Sequence, residues 1–225
     1  MKKRNFYTEI AYFVGILFLA FGTAFMERAN FGLSMVVAPA YILHVKLSEF
    51  LPFFSFGTAS YCVQAILIIV IALLMRRFKI SYLFAFVTAV LNGYVLDGAI
   101  FVLGLIDANG IFFRILCYVI GVVIADLGIS LLLRPYIAPE AYDVFVKDLS
   151  AHYKIGFGKF KTAYDISSLA ISVLLSLVFF GKLVGIGVGT LVCALVNGTL
   201  IGLMTKLCDK LFEFRDAFKF REKLE

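Results

Sequence analysis

The chain has 225 residues, of which 62% are hydrophobic and 16% charged, with 25 Phe, no Trp and a formal net charge of +6. A water-soluble domain carries charge on roughly a quarter of its residues, so this composition, with a mean hydropathy of +0.99, excludes an ordinary soluble globule. The placement of the basic residues accounts for the positive charge without a nucleic-acid partner.

A helix needs about 20 mostly apolar residues to cross a hydrocarbon layer roughly 30 Å thick. In chain order, such runs are predicted at 10–26, 50–75, 80–96, 111–133, 166–181 and 183–205. The fourth differs from the others in carrying Arg114 and Asp126. Met1-Lys2-Lys3-Arg4 before the first run has the layout of a secretory signal peptide. The length of that run, and a counterpart in mid-chain, make it an uncleaved first span.

Lys and Arg concentrate in cytoplasmic loops. With the N-terminus inside and six alternating spans, 17 of the 21 basic residues fall on the inner side. Only Arg28, Lys46, Arg114 and Lys182 fall outside. Both termini are therefore expected in the cytoplasm.

The chain also repeats itself. Val87-Thr88-Ala89-Val90-Leu91-Asn92-Gly93 matches Val192-Cys193-Ala194-Leu195-Val196-Asn197-Gly198 at an offset of 105, and Ala38-Pro39 precedes Ala138-Pro139 by 100. Gly15, Gly22 and Arg28 precede Gly121, Gly128 and Arg134 by 106. The expected organisation is a first three-span repeat over 1–106, a second over 107–205 and a cytoplasmic amphipathic tail over 206–225. Three spans is an odd number, so the second repeat enters the membrane upside down, as in many secondary transporters. The predicted fold is all-α: a polytopic helical membrane protein of about six spans, two inverted repeats, each with a broken or re-entrant segment.

Those segments are Arg28–His44, broken at Pro39, and Arg134–Val144, broken at Pro135 and Pro139. Both are too apolar for plain loops and too short to span. Proline stops a helix by removing a backbone donor, and irregular backbone survives at membrane depth only inside protein or a wet cavity. Paired interruptions in equivalent positions point to a transporter's binding site; the other reading is an amphipathic helix lying on each membrane face.

The Arg-Ala-x-x-Gly-Leu…Pro-x-x-x-Leu element at Arg28–Leu43, the Gly57-Thr58-Ala59-Ser60 start of span two, and Asn92-Gly93…Asp97 in span three resemble the YczE/YyaS/YitT-like bacterial membrane proteins. The second half keeps Ala138-Pro139 and Gly185-x-Gly187-x-Gly189-Thr190, but has Arg134-Pro135-Tyr136 where the family pattern would have a glycine-rich stretch. The resemblance implies a multi-pass protein of the bacterial inner, cytoplasmic membrane, often labelled a permease. It implies no substrate.

Ionisable and amide side chains inside spans are functional candidates by default. Asp126 is placed to hold a cation, a proton or an amine, or to pair with a neighbouring helix. Asn92 and Asn197 occupy equivalent mid-span positions, each followed by glycine, which suits close helix packing. Ser60 and Gln64 share one face of span two. Pro39, Pro139 and Tyr142 of the broken segments complete the candidate substrate- or ion-binding set. His44 and His152 read as interfacial residues, and the Gly185–Gly189 run as tight packing. Cys62, Cys117, Cys193 and Cys208 form no CxxC pair and read as small packing residues. No metal, no cofactor and no catalytic residues are expected, and the chain is not expected to be an enzyme. Leu207, Leu211, Phe214 and Phe218 at helical spacing make the tail an amphipathic helix continuing span six.

The leading expectation is a small-solute permease working by alternating access, with the lipid bilayer and an unknown small molecule as partners and a homodimer compatible with its small size. The alternatives are a non-transporting scaffold or lipid-handling protein for a biosynthetic complex, and the substrate-binding subunit of a larger importer.

Overall fold

The computed structural model describes residues 4–105 and 110–216. Within them lie eight helices: α1 (Thr8–Ala29), α2 (Ala38–Leu47), α3 (Phe56–Met75), α4 (Ile80–Gly104), α5 (Ile111–Leu132), α6 (Ala141–His152), α7 (Phe157–Phe180) and α8 (Val188–Leu211). Six of them, all but α2 and α6, are long and apolar enough to cross a membrane. The two short ones have 10 and 12 residues, so at about 1.5 Å per residue they reach little more than half-way.

The six expected spans are present; α4 runs on to Gly104, α7 begins already at Phe157 and α8 runs on to Leu211, beyond the expected 96, 166 and 205, and two starts are moved later by local chemistry. Span two starts at Phe56 and not at residue 50. Ser55 is its N-cap, its Oγ accepting from Thr58 N at 3.0 Å. Asp97, reaching over from α4, accepts from Gly57 N at 2.8 Å and from Ser55 Oγ at 2.5 Å. A carboxylate there also meets the positive end of the helix dipole. Span six starts at Val188 and not at residue 183. The glycine run before it is tied to the 31–33 segment by Leu33 N to Gly185 O (3.0 Å) and Gly189 N to Phe31 O (2.8 Å). Gly185 takes a φ of +71° and lies against the Tyr41 ring, so tight packing does explain these glycines.

The most intimate helix pair is α1 with α5, held at backbone contact by small residues, as membrane helices require where no hydrophobic effect drives them together. A Cβ on Gly22 would stand 2.5 Å from Ala125 N, and one on Gly128 would stand 2.5 Å from Leu19 N. In α3 and α4 the same device is Gly57 against Gly93. The outward faces of α7 and α8 are apolar and open, with Leu195 81% and Val188 75% exposed, as a lipid-facing surface must be.

The tail departs from the sequence expectation. α8 ends at Leu211, and Phe212–Arg215 forms β2, which pairs in parallel with β1 (Arg4–Tyr7) in the register Phe6↔Phe214. Phe6 sits between Phe212 (5.0 Å) and Phe214 (5.9 Å), and the Arg134 guanidinium lies 5.0 Å from the Phe214 ring. Alternate aromatics facing one way suit a strand and waste a helix face. Phe218 and residues 217–225 lie outside the described residues.

Candidate functional site

The proline of each broken segment starts a short helix. Pro39 occupies the first turn of α2, where its missing N–H costs nothing. Pro139 precedes Glu140, the N-cap of α6. Glu140 Oε1 accepts from Gln64 Nε2 at 3.0 Å and from Asn92 Nδ2 at 2.9 Å, and Gln64 Oε1 accepts from Ala141 N at 2.9 Å. Gln64 and Asn92 lie near the middles of α3 and α4. The start of α6 therefore sits level with the midpoints of α3 and α4. Slightly earlier in the chain, Thr88 Oγ1 donates to Ala138 O at 3.0 Å, and Tyr12 Oη shares a 2.8 Å hydrogen bond with the same hydroxyl. Every group in this node is buried: Gln64 at 0%, Thr88 at 0%, Glu140 at 7% exposure.

Beside the node lies a cavity of about 530 Å³, within the usual size of small-molecule sites. Four helices ring it. α2 packs against both α3 and α7, and α6 does the same, so each short helix bridges the two halves of the chain. The wall is mostly apolar, with Pro39, Leu67, Phe145 and Ile171 among its members. Its polar groups are Tyr142, Tyr164, Ser167 and Ser168. Ser168 Oγ donates to Met35 O at 2.7 Å, just before α2, and Tyr142 lies against Ser60.

Of the sequence candidates, Pro39, Tyr142, Ser60, Gln64, Pro139 and Asn92 are thus gathered at the cavity or at the node beside it. Asn92 serves as a tether for α6 and Gly93 alone makes the close packing expected of the pair. Asp126 and Asn197 are not part of this group. They lie on α5 and α8, which contribute nothing to the cavity wall among the described residues. Gly198, unlike Gly93, is open: a Cβ added there would have nothing within 4 Å. Glu140 was not singled out from the sequence, although a carboxylate directly after Pro139, in a break whose other charged residues are Arg134 and Asp143, was a usable signal. Its counterpart after Pro39 is Ala40, so the node exists in one half only.

Eight helices with six membrane-length members and a buried polar node at mid-span define a multi-pass helical membrane protein. The chain belongs to the family of unknown function DUF6198, whose profile matches residues 6–206. It is similar to the "Uncharacterized protein YyaS" of Bacillus subtilis (strain 168), 28% identical over 205 residues, covering 89% of this chain and 94% of the relative. That agrees with the resemblance carried by Arg28–Leu43 and Asn92–Asp97. No solved structure matches the chain.

Proposed function

We propose that the protein is a small-solute permease of the cytoplasmic membrane, working by alternating access, and that its substrate occupies the cavity between α3 and α7. The observation that carries this reading is the cavity's construction: two short helices, α2 and α6, one from each half of the chain, close it against the two long helices α3 and α7. Such discontinuous helices at a repeat interface are the usual seat of a transporter's site.

The inverted relation of the halves draws support from the α1–α5 seam. Adding 106 to a residue of α1 gives its repeat mate on α5. A Cβ on Gly15 would meet Gly128 and Leu132, and one on Gly121 would meet Gly22 and Met26. Shifting either set by 106 produces the other. Gly22 against Ala125 and Gly128 against Leu19 exchange in the same way. The cross-packing of α2 on α7 and of α6 on α3 exchanges too. Any two-fold axis gives such an exchange, but the contacts also run from Leu132 back to Gly121 on α5 as they run from Gly15 to Met26 on α1, so the two repeat mates are antiparallel, which supports halves of opposite sense. Both termini are cytoplasmic in this reading, in keeping with the basic residues.

The apolar wall favours a substrate that is mostly hydrocarbon or aromatic, with one polar group for Tyr142 and Ser168. The same wall suits a lipid-handling protein that does not transport. Reconstitution of the full chain into ATP-free proteoliposomes separates the two, after a thermal-shift screen of amphipathic organic molecules has provided a ligand. Ligand-dependent uptake that Leu67→Trp abolishes, by filling the cavity, is the expected result. Tight binding with no flux would overturn the permease reading.

A further inference from the structure

α5 and α8 run side by side in the same direction and meet along two stripes of residues spaced four apart. On α5 the stripe is Tyr118, Val122, Asp126, Ser130 and, just beyond the helix, Arg134; on α8 it is Gly189, Cys193, Asn197, Ile201, Thr205 and Asp209. Spacing by four keeps side chains on one helix face. The rungs at both ends are closed. Tyr118 Oη donates to Gly189 O at 2.5 Å and shares a 2.9 Å contact with Cys193 Sγ. Ser130 Oγ and Thr205 Oγ1 share a hydrogen bond of 3.1 Å, and Arg134 donates to Thr205 O at 2.9 Å and pairs with Asp209.

The middle rung is different. Asp126 is 1% exposed, and neither of its carboxylate oxygens has a hydrogen-bond partner. Asn197 Oδ1 is likewise buried without one. The closed rungs pair residues 71 to 78 apart, which sets Asp126 level with residues 197–204 of α8, Asn197 standing at the near end of that stretch. Asp126 is within electrostatic reach of Tyr118 and Cys193, and Cys193 is bonded to Asn197.

No basic side chain stands at this level among the described residues. The ionisable groups on the packed elements are Cys117, Tyr118, Arg114 and Arg134 on or beside α5, Cys193, Lys206, Cys208, Asp209 and Lys210 on α8, and Glu9, Tyr12, Glu27 and Arg28 on α1. The charged ones all lie toward the helix ends. The α1 stretch opposite Asp126, residues 18–26 around Gly22, carries none. A bare carboxylate in hydrocarbon is expensive and takes a counter-charge wherever one is available.

We propose that Asp126 and Asn197 form a mid-membrane binding site for a monovalent cation, a proton or an alkali-metal ion, separate from the substrate cavity. Its use as the coupling ion of transport rests on the permease reading; its occupancy does not. The stripe of hydroxyl and thiol groups above and below it, each able to donate and accept, gives the cation a polar lining along the seam.

The test uses the full chain in lipid nanodiscs with no substrate present, so it can fail or succeed independently of uptake. Infrared difference spectra across a pH step read protonated carboxyl groups directly, and aspartate labelled with ¹³C separates them from Glu140 without any substitution. In parallel, sodium and potassium are titrated at fixed pH with tyrosine emission as the reporter, Tyr118 being the nearby fluorophore in a chain without Trp. A proton site gives an aspartic-acid band that Asp126→Asn removes and Glu140→Gln leaves. An alkali-ion site gives a saturable emission change that Asp126→Asn removes. Asn197→Ala, which keeps the carboxylate, shifts the band or weakens the ion response, and covers the case in which Asp126→Asn does not fold. Wild-type protein showing neither signal, or signals unchanged in every Asp126 and Asn197 variant, would overturn the site.

Discussion

Replacing Gln64 by Leu removes one side chain from the Glu140 node while nearly preserving its volume. Two hydrogen bonds go with it, the one to Glu140 Oε1 and the one from Ala141 N. Ala141 opens α6, so its N–H has no partner within its own helix. Hydrogen bonds inside membrane proteins average about 0.6 kcal/mol when both unfolded partners find substitutes, which would put the loss near 1 kcal/mol. Leaving a fully buried donor and a buried carboxyl short of a partner costs about 1–3 kcal/mol each. Because Gln64 is 0% exposed and Leu offers nothing in return, the second figure governs, and the expected loss is about 2–6 kcal/mol. Asn92→Leu breaks only the bond to the same oxygen, since Asn92 Oδ1 has no partner to lose, so about 1–2 kcal/mol is expected. The assay is reversible unfolding of the full chain in mixed micelles, with hydrogen exchange of residues 141–152 as the local readout. Because both amides serve one oxygen, the double variant should fall short of additivity by at least about 0.5 kcal/mol. Gln64→Leu costing no more than Asn92→Leu, with α6 exchange unchanged, would refute the idea that this node holds the short helix at depth.

Four other outcomes are expected. Gly22→Leu should separate α1 from α5, because even a Cβ would lie 2.5 Å from the Ala125 backbone; a loss of about 3 kcal/mol or more, at the upper end for overpacking, is measurable by the same unfolding assay. Gly57→Ala should destabilise by about 2 kcal/mol or more, since its Cβ would meet Gly93 O and the Asp97 carboxylate. Gly198→Ala, at the repeat position of Gly93 but with open space around it, should stay within about 0.5 kcal/mol of wild type. In a chain freed of its four cysteines, Asn5→Cys and Glu213→Cys, paired in the β1–β2 register, should cross-link rapidly with a short bifunctional maleimide. Failure to cross-link would refute the strand pair and with it the juxtaposition of the two ends.

The spans were legible because a membrane helix announces itself by length and apolarity alone, and the breaks because proline acts locally. Which side chains meet was mostly not legible. Glu140 finds Asn92 and Gln64 at separations of 48 and 76 residues, and nothing local to any of the three announces the others. Asp126 and Asn197 were visible as polar residues in apolar helices, but their assignment to the central site assumed that all mid-membrane polarity converges. The α5–α8 register sends them elsewhere. The four-residue spacing that places Tyr118, Asp126, Ser130 and Arg134 on one stripe was present in the sequence and would have marked a polar face. The strand at Phe212 was hidden because four residues with alternate aromatics fit either a helix end or a strand, and only Phe6, at the other terminus, decides between them.

The inverted arrangement of the two halves is tested most directly by accessibility. Single cysteines at Glu49 and Lys154, exposed positions just after α2 and α6, are labelled in intact cells with a membrane-impermeant maleimide, with and without prior permeabilisation. The expected result is labelling of Glu49→Cys from outside and of Lys154→Cys only after permeabilisation. Labelling of both from the same side would contradict the inverted halves and the cavity they are proposed to share.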